Sequence, residues 1–260
     1  MSHENKRYNL MELMVCVAAH QLEDGKTAVI GTGIPLAAAM LAQKTTAPNL
    51  IVLFEAGSVA PQLIKLPISV ADSYTQTGCL IHASMNEVME ACQRGTVDYT
   101  FLGCAQIDQY GNINTSLIGA DYQKPKARLP GSGGANDLAS FCWRTLVITP
   151  HDKRRFAPRL DFLTTPGYLT GPGARERAGL PPDTGPYKVI TTLAVIGFHP
   201  DTKRMQVESL HPGITRDDVR ANTGFEILFA DPLVTTSEPT DEELRILREE
   251  VDPQRLLIGK

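Results

Sequence analysis

Glu55 is the residue whose type and position first suggest chemistry. It follows the apolar run LIVLF at 50–54 and precedes Ala56, Gly57 and Ser58. Such a run reads as a short buried strand. In an open parallel sheet, ligands bind outside the carboxyl ends of the strands. A carboxylate at that end, beside a glycine, stands where a substrate would arrive. The competing roles are a solvated loop acid or a helix-capping acceptor. A carboxylate with a pKa near ~4.3 is ionised at neutral pH without help.

Two further constellations carry potential chemistry. In FLGCAQIDQYGNIN (101–114) a strand ends at Gly103, and Asn112 and Asn114 flank a turn at Gly111. Such asparagines commonly satisfy local backbone groups in a turn. The functional alternative puts Gln106 and nearby backbone N–H groups on the rim of a site. In GSGGAND (131–137), glycines fill positions 131, 133 and 134. Without a Cβ, the backbone N–H groups can approach a ligand closely; a helix starting there would leave further N–H groups free. A flexible turn is the structural alternative. Gly31-Thr32-Gly33 begins like a dinucleotide fingerprint, but Leu36 replaces the third glycine and Pro35 interrupts the run, so nucleotide binding is not supported. His20, His82, His151, His199 and His211 show no spacing with a Ser or Cys nucleophile. The run Lys153-Arg154-Arg155 reads as a solvated face; its other use is charge pairing with phosphates or carboxylates.

The flanking segments supply the elements that position these residues. NLMELMVCVAAHQL (9–22) has helical spacing, with Asn9 as N-cap and Glu12 at the capping-box offset. TAVIG (27–31) reads as a strand, PLAAAMLAQK as a helix, and LIVLF as the next strand. Strand, helix, strand with short loops indicates a right-handed parallel crossover. NEVMEACQRG (86–95) and VDYTFLG (97–103) repeat the alternation, and TLVIT (145–149) follows the glycine-rich segment. Residues 151–187 are interrupted every few positions by Pro or Gly, which suggests a functional or interfacial loop. KVITTLAVIGF (188–198) and RMQVESL (204–210) read as paired strands. One helix starts near Thr215 and ends at Gly224, and TDEELRILREEV (240–251) makes the last. The expected fold is α/β, a mostly parallel sheet flanked by helices. It forms a single domain over 1–260 with a loop-rich insertion at about 157–187.

Bulk properties exclude several classes. A net charge of -4 lacks the basic surplus of a nucleic-acid binder. No apolar run reaches the ~18 residues of a membrane span, and MSHENKRYNL is no signal peptide. A cytoplasmic location is expected. Cys16, Cys79, Cys92, Cys104 and Cys142 are odd in number and form no Cys-x-x-Cys pair, which points to free thiols rather than a disulfide framework or a metal site.

The segments FEAGS (54–58), GCAQIDQYGNIN (103–114), GSGGAND (131–137), KRRF (153–156), TTPGY (164–168), GPGARERAGLP (171–181), NTGF (222–225) and REEVDP (248–253) occur together in order. In this the chain resembles class I CoA-transferases of the glutaconate CoA-transferase B-subunit type, over nearly its whole length. The resemblance implies a CoA-transferase α/β fold and an A-type partner subunit, with the active site where the two chains meet. It implies that Glu55 is the covalent nucleophile, carrying a glutamyl-CoA thioester, and that Gly133 and Gly134 offer backbone N–H groups to the reacting carbonyl. Gly103 and Gln106 join them as substrate-binding positions. Gly103-Cys104 stands where the family often has two glycines. The implied substrates are an acyl-CoA and a carboxylic, preferably dicarboxylic, acid. No permanent cofactor or metal is expected, coenzyme A being part of the substrate. The alternatives are an acyl-CoA hydrolase or decarboxylase on the same scaffold, or a non-catalytic partner subunit; retention of Glu55 favours transfer.

Overall fold

Residues 10–19 are apolar at nearly every position, and a helix apolar on all sides must be buried. In the computed structural model, which describes residues 7–67, 69 and 72–259, helix α1 (Leu10–Ala19) is buried from Glu12 onward. The expected capping box is present: Asn9 Oδ1 accepts the Glu12 N–H at 2.9 Å, and Glu12 Oε2 accepts the Asn9 N–H at 2.8 Å. Arg248 donates to both Glu12 oxygens, at 2.6 and 2.9 Å. Burial pushes the Glu12 carboxyl up, but the hydrogen bonds from Arg248 and Asn9 and the Arg248 charge prevail, and its pKa is lowered.

The chain forms two compact units, one of Met1–Val88 with Ser237–Lys260, the other of Met89–Thr236. In the first, β1 (Thr27–Val29) and β2 (Ile51–Leu53) pair in parallel, Thr27 opposite Ile51. Between them α2 (Ile34–Lys44) starts with proline in its first turn, where a missing N–H costs nothing. It packs its buried stretch against α1. Two short strands that no sequence signal marked extend the sheet, β3 (Ser58–Val59) antiparallel to β2 and β4 (Ile81–His82) antiparallel to β3. The closing helix Asp241–Ile246 is capped by Thr240 and continues as a π turn over Leu247–Val251. It is tied back by Lys44–Glu250 at 2.9 Å and by the His20–Glu243 contact.

Helix α3 (Met85–Gln93) leads into the second unit, where β5 (Tyr99–Leu102) is buried throughout. Two small ribbons follow: β6 (Gln106–Ile107) with β7 (Ile113–Asn114), and β8 (Leu117–Ile118) with β9 (Ala127–Arg128). Helix α4 (Ala135–Phe141) then crosses to β10 (Arg144–Thr149), which pairs in parallel with β5. The 151–185 stretch is irregular, as its Pro and Gly content requires, apart from the single helical turn α5 (Ala174–Arg177). The next strand, β11 (Pro186–Thr191), is parallel to β10; β12 (Ala194–Phe198) and β13 (Met205–Leu210) are antiparallel. Helix α6 (Arg216–Ala221), capped by Thr215, precedes β14 (Leu228–Thr235), parallel to β13. The α/β class holds, with parallel strands joined through helices in both units. The core of the second unit gathers Leu102, Ile107, Val147, Phe156, Val189 and Ile196.

One expectation is corrected. Residues 188–198 are not one strand but the hairpin β11–β12. Thr191 makes the turn: its hydroxyl accepts the N–H groups of Leu193 and Ala194, at 3.1 and 3.0 Å, and donates to the Ala194 carbonyl at 2.9 Å. No glycine or proline marks the reversal, so the apolar run concealed it. Among the described residues, no helix is long and apolar enough to cross a membrane.

Candidate functional site

Glu55 lies at the carboxyl end of β2, as its sequence position indicated. Phe54 is fully buried, and its carbonyl accepts the Gly57 N–H at 2.9 Å, so Glu55 and Ala56 form the corner of a tight turn. Gly57 is required here twice over. Its φ of +117° disfavours a side chain, and a Cβ would lie 1.9 Å from the Ala83 oxygen. The chain after β4 closes onto the turn through the Ala83 N–H, which donates to the Gly57 carbonyl at 2.8 Å. Ser58 anchors the far side, its hydroxyl donating to the Thr75 carbonyl at 2.6 Å. Glu55 itself is half-buried. Among the described residues its carboxylate has no hydrogen-bond or ion-pair partner. The turn is fixed and the acid is left available.

The remaining expected positions belong to the second unit. Gly103 is the exposed residue directly after β5, and a Cβ there would meet nothing within 4 Å. Gln106 is buried, and its amide is already engaged. Its Oε1 accepts from Asn114 Nδ2 at 2.7 Å and from the Asp161 N–H at 3.0 Å, and its Nε2 donates to Asp161 Oδ2 at 3.2 Å. Asn112 does similar structural work, its Oδ1 accepting the N–H groups of Gly167 and Leu169 at 2.8 and 3.0 Å. The polar motif at 103–114 therefore binds the long 157–187 segment to the β5 end.

Gly133 and Gly134 directly precede α4. Gly133 takes φ +49°, and Gly134, at the N-cap, takes φ -81°. Among the described residues, neither N–H has an acceptor. The loop is nevertheless anchored: the Gly131 N–H donates to the Thr115 carbonyl at 2.9 Å, and Asn136 Nδ2 donates to the Thr164 carbonyl at 3.0 Å. Thr164 Oγ1 accepts the Thr115 N–H at 2.9 Å and donates to Asn114 Oδ1 at 3.5 Å. One hydrogen-bonded network thus connects Gln106, Asn114 and Thr164 to the glycine-rich loop.

An open cleft of about 520 Å³ lies beside Gln106, lined also by Ala105, Ile118, Asp152, Arg154 and Arg155. Apart from Ile118 of β8, its residues follow the carboxyl ends of β5 and β10, adjacent parallel strands. The reading of 153–155 as a solvated face holds for Arg154, whose side chain is 96% exposed, but not for Arg155. The Arg155 guanidinium donates to Asp152 Oδ2 at 3.1 Å and to the Cys104 carbonyl at 2.9 Å. Three consecutive basic residues give no sequence signal for which one turns inward. Burial pushes the Cys104 thiol up to about 11, so this neighbour is protonated at neutral pH.

Comparison with known proteins gives a consistent result. The sequence model of the family described as Coenzyme A transferase matches residues 12–222. The chain is similar to the B subunit of glutaconate CoA-transferase from Acidaminococcus fermentans, 36% identical over 96% of this chain and 95% of that protein. It is similar to the B subunit of 3-oxoadipate CoA-transferase from Pseudomonas knackmussii, 38% identical over 93% of this chain and 92% of that protein. The crystal structure of glutaconate coenzyme A-transferase from Acidaminococcus fermentans superposes with a TM-score of 0.93 at 34% identity, covering 99% of this chain and 100% of that one.

Proposed function

The chain belongs to the coenzyme A transferase family, and from that premise we propose that it is the B-type subunit that moves CoA between an acyl-CoA and a dicarboxylic acid through a glutamyl-CoA thioester on Glu55. The observation that carries the reading is the strand-end turn, which holds an acid with no partner among the described residues. The ionised carboxylate attacks the thioester carbonyl and the C–S bond breaks, giving a mixed anhydride and CoA thiolate. The thiolate then attacks the glutamyl carbonyl of the anhydride, releasing the first acid and leaving CoA on Glu55. The incoming acid reverses both steps. Covalent catalysis of this kind divides one difficult exchange into easier ones. Each attack creates an oxyanion, and the role of its donors falls to Gly133 and Gly134, whose N–H groups are free among the described residues. Gly103 and Gln106 take the substrate-binding role, Gly103 by leaving the backbone open and Gln106 by shaping the cleft wall.

Support for an A-type partner comes from the relatives named as B subunits. It also comes from apolar side chains that the first unit leaves exposed: Leu80 at 81%, Ile64 at 61%, Ile81 at 57%. The test is turnover with the A-type partner, together with the mass of this chain after incubation with acyl-CoA alone. Wild type is expected to gain a CoA-sized adduct that hydroxylamine removes. Glu55→Ala and Glu55→Gln are expected to show neither adduct nor transfer. Glu55→Asp, its carboxylate drawn back by about 1 Å, is expected to be slower by ~10²-fold. Transfer near the wild-type rate in Glu55→Ala would remove the nucleophile. Release of free acid without an adduct would bring hydrolysis forward.

A further inference from the structure

We propose that Cys79 is a reactive thiol activated by His82, and that low-molecular-weight disulfides modify it reversibly. The inference goes beyond the transferase reading and does not depend on it. Both residues lie in the first unit. What carries it is a nucleophile–base pair that the spacing of the histidines did not reveal. His82 Nε2 lies 3.3 Å from Cys79 Sγ, within reach for a nucleophile paired with its base. An unbroken strand would send residues three apart to opposite faces. Here the chain bends at Leu80 before it enters β4, and the bend brings ring and sulfur together.

The surroundings leave the pair open. Cys79 is half-buried and His82 is exposed. Among the described residues His82 Nδ1 has no partner, so water can satisfy it while Nε2 accepts the thiol proton. Among the described residues no three His, Cys, Asp or Glu side chains are grouped to hold a metal ion, and a structural zinc takes four ligands. Two groups in contact suit proton transfer instead. The other thiols compete poorly. Cys16, Cys92 and Cys142 are at most 1% exposed, and burial pushes the Cys104 thiol up to about 11, which leaves it protonated. The exchange needs no further reactant. His82 Nε2 takes the proton of Cys79 as its sulfur attacks one sulfur of the disulfide. The new S–S bond forms, the reagent's own S–S bond breaks, and the departing thiolate takes the proton from the imidazolium. Cys79 is oxidised and the reagent reduced, and a second thiol reverses the step.

The test is the rate at which the full chain, with no acyl-CoA present, reacts with the aromatic disulfide dithiobis(nitrobenzoate) near neutral pH. A free thiol is only a few per cent ionised there, and a thiol that ionises more readily loses some nucleophilicity, so one thiol per chain is expected to react about tenfold faster than the thiols of the same chain unfolded in urea. Cys79→Ser is expected to remove that fast phase. His82→Gln keeps a polar side chain but takes up no proton, and is expected to slow the phase by about tenfold, with Tm and the labelling of Cys104 unchanged. With glutathione disulfide, wild type is expected to gain one glutathione by mass, removed by dithiothreitol and absent from Cys79→Ser. A fast phase that survives in Cys79→Ser, a wild-type rate no higher than in the unfolded chain, or a His82→Gln rate equal to wild type would overturn the assignment. Glu55→Gln is expected to label like wild type, so failure of the transferase reading would leave the result standing.

Discussion

At the scale of single residues, Gly134 is the cleaner probe of the oxyanion role. Its φ of -81° is negative, so Gly134→Val brings a branched side chain beside the N–H without the strain of a left-handed backbone. Gly133, at φ +49°, would add strain of its own. If the Gly134 N–H faces the developing charge, Gly134→Val should lower kcat by ~10²–10³, the cost of losing one oxyanion donor, with little change in Tm. Steady-state rates set beside a melting curve check this, and unchanged turnover would reduce the loop to a turn. Glu12 and Glu55 show how differently one side chain can be used. Glu12 is held by Arg248 and the Asn9 N–H; Glu55 is held by nothing among the described residues. Sequence position located both, but only the structure distinguishes them, because the separating partner, Arg248, is 236 residues from Glu12.

At the scale of elements, the GPGARERAGLP segment owes its order to Arg175. This side chain is 2% exposed, and its guanidinium donates to the carbonyls of Gly167, Ala139 and Ser140 at 2.9, 3.1 and 3.2 Å, and to Thr184 Oγ1 at 2.9 Å. Burial lowers its pKa, the usual cost of a desolvated cation, and the carbonyl dipoles take the place of a counter-ion. Arg175 thus ties the irregular stretch to the end of α4, the helix that the glycine loop precedes. Arg175→Met would leave several buried carbonyls without donors, at about 1–3 kcal/mol each before relaxation. A loss of at least about 3 kcal/mol in urea unfolding is the expected outcome; a change below about 1 kcal/mol would show that water replaces the guanidinium. Apolar spacing and the Asn9 cap made α1 legible in the sequence, and the helix starts near Thr215 and Thr240 and the buried strands were legible too, though the caps at Thr215 and Thr240 emerge only in the structure. Spacing did not reveal β3 and β4, two residues each, nor the β11–β12 reversal, which rests on the Thr191 hydroxyl rather than on glycine or proline. Glu55 was legible as a strand-end acid and the glycine loop as open backbone. The inward turn of Arg155 was not, since it depends on the Cys104 carbonyl across the β5 end.

At the scale of the whole molecule, stability should depend on pH through groups distant from the proposed chemistry. His151 is buried between Thr191 and Thr223, whose hydroxyls lie 3.1 and 3.0 Å from its Nδ1 and Nε2, and it stacks on Phe156 with ring centroids 3.9 Å apart. Burial lowers its pKa from 6.5 to about 4, with the Asp152 charge opposing. His211, between Thr236 and the Thr191 carbonyl, is lowered too, again by burial first. A depressed folded-state pKa means that the unfolded chain binds the proton more readily. Stability is therefore fully present above pH 6.5 and is lost as the pH falls from there toward about 4. At about 1.36 kcal/mol per unit, His151 accounts for at most about 3 kcal/mol of that loss. Glu12 and Glu243 also have lowered pKa values, burial in each being outweighed by hydrogen bonds, so their losses begin as the pH falls through the ordinary value of 4.5 and continue below it. Urea unfolding at half-unit steps from about pH 7.5 to about pH 5 covers the upper part of the histidine window and stops short of the carboxylate one. In wild type the free energy of unfolding should fall steadily below pH 6.5. In His151→Gln, whose amide can still meet the threonines but does not titrate, the curve should start lower and flatten across that window. An unchanged slope in the variant would place the acid sensitivity elsewhere.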